Sequence, residues 1–166
     1  MSQTTDLFNL FYTFVAWLNE LYQSLKLKLM LLKRFFTTKS VSGSLASFGL
    51  LALRIAICAM MLTHGLNKLS TFSAMSQNFN YLGIGGTLSL SLVIFAEVFC
   101  SIAVLLGLFT RLAVLPLIFA MCIAIFITHG GQAFAAKELA SLYLTFFTVI
   151  FIIGPGRFSI DRLLWK

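Results

Sequence analysis

Leu50 to Leu69 reads LLALRIAICAMMLTHGLNKL. It is apolar enough to cross a bilayer, which takes about 20 mostly apolar residues, yet it carries Arg54, His64, Asn67 and Lys68. A charge inside such a span costs at least ~2.5 kcal/mol on insertion scales, so membrane helices turn ionisable groups toward other helices or a polar cavity. The stretch therefore predicts one helix of a membrane bundle whose other helices wall a polar cavity.

Composition points the same way. Of 166 residues, 60% are hydrophobic and 10% charged, with a mean hydropathy of +0.98, whereas soluble domains carry about 25% charged residues. An all-α integral membrane protein is expected. The length gives room for one bundle and none for a separate soluble catalytic domain, so any chemistry lies in or beside the membrane. The formal charge of +7 comes mostly from residues flanking apolar segments, which reads as topology and lipid headgroup contact. No nucleic-acid motif is present, and no nucleic-acid partner is expected. Cys58, Cys100 and Cys122 fall in three apolar segments without a C-x-x-C pair and read as small buried apolar residues.

Outward from the opening stretch, residues 1–46 form a distinct segment. Leu7, Phe11, Phe14, Leu18, Leu21, Leu25, Leu29, Leu32 and Phe36 recur at spacings of three and four, making one apolar stripe on a helix. Lys26, Lys28, Lys33, Arg34 and Lys39 add a basic tail. Such a helix suits the cytoplasmic headgroup layer, or else its stripe packs on the bundle or on a partner. Residues 40–47 read as a hinge. Residues 47–166 form the membrane domain, with spans expected near 48–69, 87–108, 112–129 and 138–153. Residues 70–86 are a polar loop, 107–111 a tight turn and 130–137 a second loop, and Pro116 is expected to bend the third span. Short connections predict an up-and-down four-helix bundle. Lys33, Arg34, Lys39, Arg111, Arg157, Arg162 and Lys166 lie toward one side, with Lys68 and Lys137 toward the other. The positive-inside rule then puts both termini in the cytoplasm.

Two polar groups emerge from these depths. Arg54 lies a turn or two inside the cytoplasmic end, and Glu97 is placed roughly 5 Å further out by the ~1.5 Å rise per residue, within an arginine's reach. An Arg54–Glu97 pair is expected, either as a clasp of the bundle or as a site where Glu97 exchanges a proton. At the outer end, His64 and Lys68 share a helix face, Asn67 lies beside them, and His129 and Glu138 sit at the same level. These residues are either ordinary interfacial decoration or a pocket for a polar head group such as a quinone ring, with a histidine exchanging protons and Lys68 holding a carbonyl oxygen. Haem ligation by the two histidines is disfavoured by their position at helix ends. His64, His129 and Glu138 lack a tight metal spacing, so no metal is assigned. Beyond the fourth span, Gly154, Pro155 and Gly156 stop the helix. Arg157 is placed to reach phosphates, and Asp161 is expected to pair with Arg157 or Arg111; this group reads as structural.

Taken together, LALRIAICAMMLTHGLNKL, FAEVFCSIAVLLGLFTRLA, FITHGG and ELASLYLTFFTVIFIIGPGRFSID resemble the DoxX family of small bacterial membrane proteins over about residues 48–162. The family pattern falls on Arg54, His64, Gly65, Lys68, Glu97, Thr110, Arg111, His129, Glu138, Tyr143, Gly154, Pro155, Gly156, Arg157 and Asp161; residues 1–46 lie outside it. The resemblance implies four transmembrane helices in the bacterial inner membrane and a link to redox metabolism. Some relatives form part of thiosulfate:quinone oxidoreductase, and others are associated with oxidative stress. It also adds Tyr143 to the candidate pocket of Arg54, His64, Lys68, Glu97, His129 and Glu138. The chain has no self-sufficient catalytic motif, so the expectation is at most an oxidoreductase subunit, redox- or quinone-linked. The alternative is a non-catalytic anchor or assembly subunit that docks a partner through its N-terminal helix; a small-molecule transporter is the weaker third reading, because four spans leave little room. No cofactor is assigned from the sequence; a quinone is the candidate. The expected partners are the lipid bilayer and either another protein or a second copy of the chain.

Overall fold

Four helices long and apolar enough to cross a membrane run over Ser44–Ser70, Gly86–Leu106, Thr110–Thr128 and Phe134–Ile153. The computed structural model describes residues 19–31, 44–80 and 83–164, and among them there is no strand. The chain divides into two units, Met1–Phe35 and Phe36–Lys166. In the first, residues 19–31 are helical. The other positions of the expected N-terminal stripe lie outside the described residues.

In the second unit the four spans form an up-and-down bundle, each packed on its neighbours in sequence and the first also on the fourth. Each span turns one face inward: Ile57, Cys58 and Met61 from the first, Ala96, Cys100 and Val104 from the second, Val114, Leu117 and Met121 from the third, and Tyr143, Phe147 and Ile150 from the fourth. These spacings of three and four are the inner stripe of a helix. The opposite faces are equally apolar, with Phe48, Phe95, Phe99, Phe119, Phe126 and Ile152 all exposed, as lipid-facing helices require. With lipid on the outside, packing and internal hydrogen bonds hold the bundle together rather than the hydrophobic effect between helices.

The boundaries differ instructively from the expected ones. The first span starts at Ser44, so 44–47 of the expected hinge are helical, while 40–43 lie outside the described residues. The fourth span starts at Phe134 rather than at Glu138, so 134–137 of the expected loop are helical; Ala135 and Ala136 there are strong helix formers. Lys137 closes the shortened loop by donating to the Gly130 carbonyl at 2.8 Å. The 70–86 connection contains a short helix, Phe72–Met75. Phe72, Met75 and Phe79 pack on Leu90, Ile94 and Val98 of the second span as a small second core. The third span continues as a helix through Pro116.

Two spans carry π-helical segments, Phe95–Cys100 and Ala124–Thr128. Such bulges insert an extra residue into the helix, turn the following side chains to a new direction, and recur at functional sites. The first contains Glu97; the second ends immediately before His129.

The bundle end that carries the turn between the second and third spans is tied by a buried network. Gly107 (φ 71°) closes the second span, with its N–H on Val104 O at 3.0 Å and the Leu108 N–H on Ala103 O at 2.8 Å, a Schellman arrangement. The third span then begins without a cap of its own. Asp161 supplies one from across the sequence. Its carboxylate accepts the Phe109 N–H at 2.6 Å, the Thr110 N–H at 2.8 Å and the Thr110 hydroxyl at 2.8 Å, while its own N–H donates to Gly107 O at 2.8 Å. The arginine partner expected for Asp161 is thus replaced by the orphan donors of a helix N-terminus, which a carboxylate satisfies well. Arg111 instead reaches the Ile152 carbonyl at 3.2 Å, and Arg157 is exposed. Asp161→Asn keeps the shape but removes the charge and half the acceptor capacity. Its expected cost is about 1–2 kcal/mol, read as a lowered unfolding midpoint in detergent with the helix content unchanged.

Candidate functional site

Glu97 is 3% exposed and faces the first span where Gly65 sits. A Cβ on Gly65 would meet Glu97 Cβ at 2.9 Å and Val98 Cγ2 at 2.7 Å, so only glycine permits this approach of the two helices. The contact sets the register between them. Lys68, three residues further on, comes within reach of the carboxylate and donates to both of its oxygens, at 2.6 Å to Oε2 and more closely to Oε1. It is the one salt bridge among the described residues.

The expected Arg54–Glu97 pair is therefore not formed. Arg54 lies eleven residues before Gly65, about 16 Å down the helix, level with the far end of the second span. There the buried guanidinium donates to Leu105 O at 2.9 Å and to Pro155 O. These are a carbonyl from the last turn of the second span and one just past the end of the fourth, where a helix lacks donors of its own. Asp161 is close enough for its charge to act on Arg54, so the two buried charges at this end balance each other. Arg54 thus leaves the candidate pocket and joins the structural group.

At the opposite end, a cavity of about 230 Å³ opens between the helices, lined by Met61, His64, Lys68, Glu97, Met121, Ala124, His129, Ala136, Leu139, Ala140 and Tyr143. Five candidates, His64, Lys68, Glu97, His129 and Tyr143, share its wall. Glu138 does not line it and is exposed, because the fourth span faces the cavity with Ala136, Leu139, Ala140 and Tyr143, and position 138 falls on the opposite side of that helix. Sequence reasoning missed the apolar part of the wall, Met61, Met121, Leu139 and the three alanines, since nothing distinguishes them from other core or lipid-facing residues until the helices are placed.

The side chains here are held in specific ways. The His64 ring meets the Tyr143 ring edge-on, with centroids 5.8 Å apart and planes at 89°. Tyr143 in turn stacks on Phe147 at 6.1 Å. His129 Nδ1 lies 3.0 Å from Gln132 Oε1, so a proton on Nδ1 leaves Nε2 as an acceptor. Among the described residues no group of three His, Cys, Asp or Glu side chains is placed to hold a metal ion. Among the described residues Lys68 is the sole lysine or arginine in the wall, and Glu97 engages it with both oxygens. The cavity therefore presents a neutral ion pair, two imidazoles and a phenol, a lining suited to an uncharged polar group rather than to an anion.

A four-span helical membrane protein, tied by a buried network at one end and holding a polar cavity at the other, is the class these features define. The chain belongs to the DoxX family, whose model matches residues 49–130. It is similar to inner membrane protein YqjF of Escherichia coli strain K12, with 32% identity over 126 residues, covering 74% of this chain and 96% of the relative. It is also similar to an uncharacterized membrane protein, Rv3486, of Mycobacterium tuberculosis, with 31% identity over 135 residues, covering 70% of this chain and 81% of the relative. No solved structure matches the chain.

Proposed function

We propose that this protein is a redox-linked subunit of a membrane complex, and that its cavity receives the polar head group of a membrane-soluble carrier such as a quinone. The observation that carries the reading is the ion pair of the half-buried Lys68 with the buried Glu97 in the wall of a cavity inside a membrane bundle. A buried carboxylate is costly in a membrane helix even with a cation beside it, and a bundle already tied at its other end has no evident need of it. The imidazoles of His64 and His129 in the wall offer ring nitrogens that can donate or accept a hydrogen bond, which suits a carrier that gains and loses protons with its electrons. By similarity to the Escherichia coli relative, the protein resides in the inner membrane. The excess of basic residues at the end with the tight turn orients both termini to the cytoplasm.

The test is quinone reduction or oxidation by native membranes carrying variants of the chain. Glu97→Gln and His64→Ala are each expected to lower the quinone-dependent signal by about tenfold or more, the usual size of an acid–base contribution being 10²–10⁴, while the protein still inserts. The Lys68→Met/Glu97→Gln double variant serves as a folded control without the charges. An unchanged signal in all three would remove the pocket from the function.

A second reading draws on the separate N-terminal unit, which lies outside the matched family region. In it the first 35 residues dock a protein partner and the bundle is an anchor. Retention of the full partner set by a chain lacking residues 1–35 would exclude it.

A further inference from the structure

Tyr143 is 3% exposed, and its hydroxyl has no hydrogen-bond partner among the described residues. Other unpartnered buried polar atoms, Arg54 Nε, Ser89 Oγ and Ser101 Oγ, belong to residues outside the cavity wall; Tyr143 is part of it. A buried hydroxyl left unpaired costs about 1–3 kcal/mol, and native proteins rarely leave one without a reason. Rotation offers no escape, because the Tyr143 ring is fixed edge-on by His64 and face-on by Phe147. The Glu97 carboxylate is near enough for its charge to act on this hydroxyl, but its hydrogen bonds go to Lys68.

We infer that Tyr143 is the donor that reads an oxygen of the bound head group, and that the cavity selects an uncharged ring bearing a hydrogen-bond-accepting oxygen. The inference rests on the head-group reading above and specifies its recognition. Two observations set the class. The rigid phenol stands in a wall that also contributes Met61, Met121 and Leu139, so it offers a hydrogen bond in a cavity that has apolar surface for a ring. Among the described residues the single wall cation, Lys68, is held by Glu97, which leaves none of them as a free positive charge for an anionic group.

The experiment uses the full chain in phosphatidylcholine nanodiscs, with empty nanodiscs to subtract partition into lipid. Equilibrium binding is measured for three probes of similar size: menadione, with two ring carbonyls; 2-methylnaphthalene, with none; and 1,4-naphthoquinone-2-sulfonate, with a fixed charge. Tyr143→Phe is expected to weaken menadione about tenfold, the effect of one lost hydrogen bond. It should leave 2-methylnaphthalene unchanged and keep the wild-type unfolding midpoint, because the deleted hydroxyl has no partner to lose. The sulfonate should bind more weakly than menadione to both forms. Equal menadione binding by Tyr143→Phe and wild type means that water is the hydroxyl's only partner and overturns the inference, as does a lowered midpoint. If binding is lost in the Lys68→Met/Glu97→Gln variant but kept in Tyr143→Phe, the head-group reading stands and Tyr143 falls. If the wild type binds no menadione beyond the lipid control, the head-group reading falls and takes this inference with it.

Discussion

Lys68→Met is expected to destabilise the bundle by about 3 kcal/mol, and adding Glu97→Gln to it is expected to restore most of that loss. The single change leaves the Glu97 carboxylate at 3% exposure without a counter-charge. Breaking a buried pair from one side costs about 3–5 kcal/mol, and the lower end applies because the Lys68 side chain retains 24% exposure. The double variant removes both charges, and a neutral pair of similar volume is often as stable as the ions it replaces. Unfolding in mixed micelles, followed by helix content, measures both. A double variant as unstable as the single one would mean that the pair is a structural clasp whose geometry the bundle requires. Recovery of stability together with loss of quinone-linked activity would mean that the charges are kept for function.

Arg54→Met is expected to cost about 3–5 kcal/mol, for a different reason. One guanidinium fork donates to Leu105 O and Pro155 O, joining the ends of the second and fourth spans to the middle of the first. Its removal leaves both carbonyls short of a donor and leaves Asp161 buried at 2% exposure without the opposing charge. Arg54→Lys restores the charge but not the planar fork, and is expected to recover less than half of the loss. Hydrogen exchange localises the effect: amides at residues 105–110 and 154–161 should open first, while those around Glu97 stay protected. Full recovery by lysine would show that charge balance with Asp161, rather than the two carbonyl bonds, is what Arg54 contributes. Menadione binding should be unaffected in whichever Arg54 variant folds, since Arg54 does not line the cavity.

How far the sequence reaches is clearest at these two residues. Hydropathy placed both in membrane helices, because a run of apolar residues about 20 long has few other fates in a cell, and the four spans and their short turns followed from the same rule. It also indicated that Arg54 and Glu97 must find partners. The choice of partner was beyond it. Counting residues along separate helices leaves their relative register open by a turn or two, and that register is set by the Gly65 approach to Glu97 and Val98, a contact between side chains and backbone of different spans. A difference of about two turns in the depth of Glu97 exchanged Arg54 for Lys68 as its partner.

The same limit explains the rest. The π-helical segments at Phe95–Cys100 and Ala124–Thr128 have no local signature, since any helix former tolerates them and only packing decides where the extra residue goes. Asp161 capping Thr110 joins positions far apart in the chain, which no short motif encodes. Composition and periodicity determined by themselves that this chain is a helical membrane bundle with ionisable groups that must face inward, because the bilayer penalises each residue individually. Tertiary structure alone decided which of those groups meet, because pairing depends on helix register and rotation, and these are fixed by the fit of whole surfaces.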